Sequence, residues 1–368
     1  MSILGVVLGV AALIVVMGVM NGFDNELESK IIGVNPHIFI KKYSGVFNYN
    51  KAFIKKISTD YKQIDYVYPL LTTQCMISSG SISSGALLNG IDLKNSGVLH
   101  KYIKGNLNGV VLGKELMTNL GLSLNDRVRI TLPFGKVTPF GFAPLSFKET
   151  ITGIFNSGMY DYDTTFVYIS LKELWNRTEM KNKINTIAIG LDDPYLAKKV
   201  SNSMYKKLPY GFYVSNWMDL NRNFFTALKL EKIAMFIILM LVVVVAAFNI
   251  MSSLTMLVME KTKDISILMA FGATNRNIMN IFIKQAVAIG AIGVILGDVL
   301  GLGLSFLLKK YQFVKLPSDV YYITNIPVDV SLSYIIVISL SAFILVVLAS
   351  VYPAFKASKA DIVEVLRS

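Results

Sequence analysis

The stretch that comes nearest to a phosphate-binding loop, Gly109-x-x-x-Gly113-Lys114, fails on its own spacing. A Walker A loop needs four residues between its glycines and a Ser or Thr after the lysine, so that backbone N–H groups cradle the phosphates and a hydroxyl holds Mg²⁺. Here three residues intervene and Glu115 follows Lys114, so the chain is not expected to hydrolyse ATP. His37 and His100 are the two histidines, far apart and without a carboxylate or cysteine pattern around them, which leaves hydrolytic triads and zinc sites unsupported. Both read as structural. The one cysteine, Cys75, rules out a disulfide framework and a thiolate metal site. The remaining candidate is Asp298, near the middle of a long apolar run. A carboxylate placed there is a functional candidate by default. The sequence shows no partner for a proton relay, so Asp298 is expected to face a helix bundle or a subunit interface.

The elements that position these residues begin with four apolar runs: Ile3 to Met20, Ile233 to Val258, Gln285 to Leu308 and Ser331 to Tyr352. At about 1.5 Å per residue, each approaches or exceeds a hydrocarbon core of roughly 30 Å. An even count puts both ends on one side. The first run lacks the basic leader and small-residue cleavage site of a signal peptide and reads as a retained span. Gly5-x-x-x-Gly9 in it, and Gly293, Gly297 and Gly301 in the third, suit close helix crossings. Tyr334 and Tyr352 flank the fourth, about 27 Å apart, where interfacial aromatics belong.

With 53% hydrophobic residues the chain is too apolar for an ordinary soluble protein, yet residues 21–230 are polar enough to need water. The net charge of +12 does not point to nucleic acid. Residues 21–230 hold 25 basic and 16 acidic side chains, scattered as pairs such as Lys41 and Lys42 without a continuous stripe. Positive-inside bias is nearly silent, since residues 260–284 carry four basic side chains and residues 309–330 carry three.

Within residues 21–230 short strands alternate with helices, the mark of an α+β domain. Strands are expected over 37–41, 66–70, 127–132, 150–155, 165–169 and 186–190. Helices are expected over 51–58, 113–119, 171–176 and 195–206. The segment TLPFGKVTPFGFAPLSFK, residues 131–148, cannot be a central strand, because proline removes a donor and fixes φ. It reads either as a protruding arm with Pro133, Phe134, Pro139, Phe140, Phe142 and Pro144 on its face, or as a Pro-rich loop packed on its own domain.

Between the second and third runs, MEKTKDISILMAFGATNRNIMNIFIK forms a polar linker at residues 259–284. Ile265, Leu268 and Met269 fall at helical spacing, Gly272 supplies a left-handed stop, and Thr274 can cap a second helix presenting Ile278, Ile281 and Phe282. A short helix-turn-helix is expected there. Its Glu260, Lys261, Lys263, Asp264 and Arg276 would be free to pair with a soluble partner.

The wording VMEKTKDISILMAFGAT resembles the segment after the second span in the FtsX-like permease superfamily, which includes the lipoprotein-releasing permeases of LolC/LolE type and the MacB-type exporters. VMNGFDNELESKIIGVNPHIFI is similar to the segment after the first span in the lipoprotein-releasing members. PAFKASKADIVEVLRS resembles the family's terminal motif, with Ile362 where proline is commoner. GVVLGKELMTNLGLSLNDRVRITLP resembles the family's small inserted subdomain. VTPFGFAPLSF and GIFNSGMYDYD resemble the hook-bearing LolC-like or hybrid LolF-like subunits. Family members carry further residues ahead of the first span, so a start at Met1 reads as truncated.

The resemblance implies a bacterial inner-membrane, multi-pass permease. Its fold would be an α-helical membrane domain of four transmembrane helices plus an α+β periplasmic domain inserted between helices 1 and 2. Spans would cover residues 1–20, 231–259, 285–308 and 331–352, with 21–230 and 309–330 periplasmic and 260–284 and 353–368 cytoplasmic. The linker would be a coupling helix resting on a separate ABC ATPase of LolD type, through Glu260, Lys261, Asp264, Ile265, Leu268, Met269, Gly272 and Ala273. ATP and Mg would bind on that partner and no cofactor on this chain. The 133–147 arm would recruit a LolA-like lipoprotein carrier. A second permease, LolE-like or a copy, would complete a lipoprotein cavity lined by Met17, Met20, Phe23, Phe248 and Met251. A MacB-like exporter would carry its own ATPase. An FtsX-like regulator of cell-wall hydrolases would lack the arm.

Overall fold

The computed structural model describes residues 2–92, 96–139, 141–311 and 325–358. They form two compact units, one from residues 2–26, 226–311 and 325–358, the other from residues 27–225.

In the first unit, four helices are long and apolar enough to cross a membrane: α1 (Ser2–Val34), α8 (Arg222–Glu260), α10 (Asn275–Tyr311) and α11 (Leu332–Ser358). All four exceed the apolar runs that announce them. Helix α1 continues past Met20 to Val34, because Glu26, Leu27, Glu28 and Lys30 favour helix as well as the apolar run does. The glycines sit where helices meet. A Cβ at Gly293, Gly297 or Gly301 of α10 would come 3.1, 2.7 or 2.9 Å from Val6, Val10 or Ile14 of α1. On α1, Gly5 and Gly9 face Ala246 and Val243 of α8 in the same way, at 3.2 and 3.1 Å. The spacing read from the sequence therefore marks real crossings.

The second unit is built on a ten-stranded mixed sheet. In chain order its elements are β1 (Ile38–Lys42), β2 (Phe47–Asn48), α2 (Lys51–Asp60), β3 (Ile64–Ser79), β4 (Ile82–Ile91), β5 (Ile103–Gly105), β6 (Val110–Gly113) and α3 (Lys114–Asn119). There follow β7 (Arg127–Thr138), β8 (Gly141–Phe155), α4 (Tyr160–Thr165), β9 (Phe166–Ser170), α5 (Leu171–Arg177), β10 (Lys183–Ile184), β11 (Thr186–Leu191), α6 (Ala197–Lys207), β12 (Phe212–Asn216) and α7 (Trp217–Leu220). The strand order is β12-β1-β11-β3-β4-β9-β6-β8-β5, with β7 pairing β3 and β8, while β2 and β10 form a separate ribbon. Each strand and helix expected from the sequence is present. The long β3–β4 hairpin, turning at Gly80, was hidden by the Ser- and Gly-rich wording ISSGSISSG.

Alternation fixes what each strand buries. Ile38 and Ile40 of β1, Leu71 of β3, Leu88 of β4, Val167 and Ile169 of β9, and Ile187 and Ile189 of β11 join one buried cluster. Ile57 of α2, Leu171 and Leu174 of α5, and Val200 and Met204 of α6 complete it. Burying each such side chain contributes about 1.5–3 kcal/mol, so this face dominates the stability of the unit.

Candidate functional site

The proline-rich segment is a paired hairpin. Strands β7 and β8 run antiparallel to the tip, with Val137 opposite Phe142 and Thr138 opposite Gly141. The register slips between Thr131 and Gly135, so Pro133 occupies a bulge, where its missing N–H leaves no gap in the ladder. Pro139 lies in the turn, and Gly141 takes φ +113°. Gly135 is needed for close approach: a Cβ there would meet the Ala143 carbonyl oxygen at 2.0 Å. The expected strand over 127–132 thus extends through a proline to residue 138.

The face of the arm differs from the expected one. Phe134 is half-buried and leans on the unit's own core, together with Leu145, because the bulge turns that part of the strand inward. Pro133, Pro139, Phe142 and Pro144 are exposed, and Phe140 lies outside the described residues. Val137, 87% exposed directly opposite Phe142, belongs to the face although its β-propensity gave no sign of it. At the base, the Arg177 guanidinium stacks over Phe147 at 5.4 Å and bonds Glu149 and Glu173 at 2.7 and 2.8 Å.

Beyond the hairpin, the GIFNSGMYDYD stretch is tied by Asp163, which is buried. Its carboxylate accepts from the Ser157 N–H and hydroxyl at 2.8 Å each and from the Gly158 N–H at 3.2 Å. The place of Gly113 is also taken: a Cβ there would meet the Asp163 carbonyl oxygen at 2.1 Å, and α3, which starts at Lys114, has six residues. The would-be phosphate loop is a packed strand-helix corner.

The linker after α8 forms α9 (Thr262–Ala270), closed by Gly272 at φ +98°. Thr274 caps the next helix, its hydroxyl accepting from the Asn277 N–H at 3.3 Å. That next helix is the start of α10 itself, so the expected helix-turn-helix has no separate second member. Its apolar side chains divide into two sets. Ile265, at 4% exposure, joins a small core with Val258, Ile278, Phe282, Ala354 and Ala357, against which Met269 and Ala273 lean. Ile265 is therefore an internal anchor and not part of an outward face. Ile267 and Leu268 are about half exposed and Phe271 is 87% exposed, one helical turn apart on the outer side. Lys261 and Asp264, both exposed, pair with each other at 3.0 Å, while Glu260, Lys263 and Arg276 point to solvent.

In the first unit the polar groups gather between helices. Lys232 of α8 bonds Asp24 of α1 at 3.0 Å and lies over the Tyr334 ring of α11 at 5.0 Å. Asn25 donates to Asp329 at 2.6 Å, and the buried Asn21 Nδ2 and Asp24 Oδ1 lack a partner among the described residues. Asp298 accepts from the Ser339 hydroxyl at 2.8 and 3.0 Å, so it faces α11. Of the residues assigned to a lipoprotein cavity, Met17 is 3% exposed and fills the core between helices, because it sits on the side of α1 that packs inward. Met20, Phe23 and Met251 are half-buried, and Phe248 is 56% exposed.

The histidines are structural. His37 is buried, its Nδ1 accepting from the Leu191 N–H at 2.9 Å, and burial lowers its pKa. His100 Nδ1 pairs with the Gly97 carbonyl. Burial pushes the Cys75 thiol up to about 12 and leaves it inert. Among the described residues no group of His, Cys, Asp or Glu could hold a metal ion.

Residues 1–206 match the family model for the MacB-like periplasmic core domain, and residues 236–362 match that for the FtsX-like permease C-terminal domain. The chain is 30% identical over 387 residues to the lipoprotein-releasing system transmembrane protein LolC of Neisseria meningitidis serogroup B, covering 100% of this chain and 93% of that protein. It is 29% identical over 385 residues to LolC of Xylella fastidiosa, covering 100% and 92%. It is 27% identical over 391 residues to LolE of Haemophilus influenzae, covering 100% and 93%. Matching both models in this order, and a LolC across its own full length, the chain belongs to the LolC/LolE family of lipoprotein-releasing system transmembrane proteins, within the FtsX-like permeases.

Proposed function

We propose that this chain is a permease subunit of an ABC transporter that extracts outer-membrane-directed lipoproteins from the inner membrane and hands them to a periplasmic carrier. The observation that carries the reading is similarity to LolC proteins along the whole chain, in both the α+β unit and the helical unit. Helices α1, α8, α10 and α11 span the inner membrane, residues 21–230 stand in the periplasm, and residues 260–284 face the cytosol. A LolD-like ATPase, which binds ATP and Mg, docks against α9. There Ile267, Leu268 and Phe271 supply the apolar contact, and Glu260, Lys263 and Arg276 line its rim. A second permease completes the complex, with Phe248 directed out of this chain's own core.

The β7–β8 tip recruits a LolA-like carrier through Val137, Phe142, Pro139 and Pro144. Two features support that role. The arm is stiffened by cross-strand pairing and proline, which reduces the ordering entropy lost on binding, and its exposed apolar groups are concentrated at the tip. The reading is tested by reconstituting the chain with its ATPase and partner permease in proteoliposomes loaded with a triacylated lipoprotein. ATP-dependent transfer to soluble carrier is expected. Retention of the lipoprotein in the membrane under all nucleotide conditions overturns the assignment. Topology is checked separately by cysteine labelling at positions 55 and 263 on a Cys75→Ala background, with labelling expected from opposite sides.

A further inference from the structure

The sheet of the second unit has two apolar faces, and only one is fully covered. On the face opposite the aliphatic core, alternation places Tyr213 of β12, Phe39 and Lys41 of β1, Tyr68 of β3, and Phe166 and Tyr168 of β9. Part of this face is closed by Leu99 of the 3-10 turn Gly97–Lys101 and by Val34 at the end of α1. The rest lines a cavity of 560 Å³, within the size range of small-molecule sites.

Its chemistry is one-sided. The aromatic rings supply an apolar lining, and the polar groups on the floor are already partnered. Thr72 Oγ1 donates to Asn89 Oδ1 at 2.8 Å, and Asn185 bonds both the N–H and the carbonyl of Thr72, at 3.1 and 2.7 Å. Lys41 is on this face, its ammonium 5.9 Å from the Phe39 ring centroid. Lys42 also lines the cavity but turns its ammonium over Phe212, at 5.6 Å. Among the described residues neither lysine is ion-paired and no acidic side chain lines the cavity.

We infer that this cavity binds an acyl chain carrying an anionic head group, with the chain on the aromatic face and the head group at Lys41. A peptide fits less well. The strand N–H and C=O groups beneath the cavity are spent in the ladder, so a peptide backbone laid on this face would lose hydrogen bonds to water and gain none. A hydrocarbon chain brings no such groups. The inference rests on the cavity alone and does not depend on lipoprotein release.

The test uses the full chain in nanodiscs of zwitterionic phosphatidylcholine, with three photoactivatable probes: a diazirine palmitate, the same chain ending in an alcohol, and a diazirine phosphatidylglycerol. Crosslinks are mapped by mass spectrometry. Capture of palmitate or of phosphatidylglycerol on peptides covering residues 34–42, 66–72 and 213–220 is expected, and whichever is captured identifies a free fatty acid or a membrane lipid as the source. Lys41→Gln should weaken capture of the anionic probe about tenfold and leave the alcohol unchanged. Leu70→Trp, which fills the cavity, should abolish capture, and size-exclusion behaviour confirms that the variant folds. Labelling confined to the four long helices, or equal capture of palmitate and alcohol by the wild type and by Lys41→Gln, overturns the proposal.

Discussion

The two units treat exposed apolar side chains in opposite ways. Along α8, α10 and α11 exposure is the rule: Ile237, Leu241, Val245, Ile295, Val299, Leu340 and Leu348 are each near or above half exposed and follow helical spacing. In the α+β unit the strands bury one face under helices, and exposed apolar groups become informative where they cluster, as Val137 and Phe142 do at the hairpin tip. On the proposed function, the same exposure meets lipid as solvent in the first unit and a partner in the second. Helix α9 belongs to the helical unit by contact but to the second case by physics. Nine residues with Lys263 and Asp264 among them cannot sit in hydrocarbon, so Phe271 and Leu268 are exposed as Phe142 is.

The largest effect expected from this contrast lies within α9. Ile265→Ala opens a hole in the small core with Ile278 and Phe282 and should cost about 2–5 kcal/mol, read as a lower unfolding midpoint of the purified chain. Leu268→Ala with Phe271→Ala should leave that midpoint within about 0.5 kcal/mol while abolishing ATPase association in a pull-down. If the outer pair destabilised the chain as much as Ile265→Ala does, both sets would be structural. The distinction between inner anchor and outer face would then collapse.

At the hairpin, Val137→Ala with Phe142→Ala should weaken carrier binding by about 2 kcal/mol, some thirtyfold in Kd by titration calorimetry. Phe134→Ala, on the half-buried side, should lower stability and leave carrier binding near the wild-type value once folded protein is compared. Equal loss of binding in both variants would mean that the tip is only a packed loop.

The sequence disclosed local stops and turns better than long-range packing. Prolines at 133, 139 and 144 declare a segment that no central strand can hold, and Gly272 and Thr274 declare a helix stop and start. Those signals are local. Whether Ile265 or Phe271 points outward depends on Ala354 and Ala357, which meet the linker from the far end of the chain. The aromatic sheet face has the same cause: each strand shows its alternation, yet the order β12-β1-β11-β3 that brings Tyr213, Phe39 and Tyr68 onto one face is set by pairings between distant segments. The β3–β4 hairpin escaped because serine and glycine mark turns more often than paired strands, and here burial of Ile77, Ala86 and Leu88 outweighs that preference.

Polar groups divide the two units as well. In the helical unit, Lys232 and Asp24 Oδ2 pair at 3.0 Å with side chains about one-fifth exposed, and Asp24 Oδ1 has no partner among the described residues. Lys232→Met strands that carboxylate and should cost about 1–3 kcal/mol, with most of the loss recovered in the Asp24→Asn, Lys232→Met double variant. Independent, additive losses in the two single variants would show that the ion pair does not couple α1 to α8.

In the α+β unit, by contrast, the buried His37 is held by backbone, which has a consequence for pH. Its Nδ1 accepts the Leu191 N–H at 2.9 Å, which requires the neutral imidazole. Burial lowers its pKa from the ordinary value of 6.5, and outweighs the backbone hydrogen bonding at Ile32 and the weaker pull of the Asp65 and Asp193 carboxylates, which act the other way. The unfolded chain therefore takes up a proton before the folded one does. Stability from this site is complete above about pH 6.5 and falls as pH drops below it, until the folded imidazole also protonates. The effect is the smallest of the series. It is read as the difference in unfolding midpoint between pH 7.5 and pH 5.5, for the wild type and for His37→Asn, whose side-chain oxygen keeps an acceptor for Leu191 but does not titrate. The wild type should lose more than the variant over this interval. An identical loss in both would assign the pH dependence to carboxylates elsewhere, and a gain in wild-type stability on acidification would mean that His37 is protonated in the folded chain and that its bond to Leu191 is not formed.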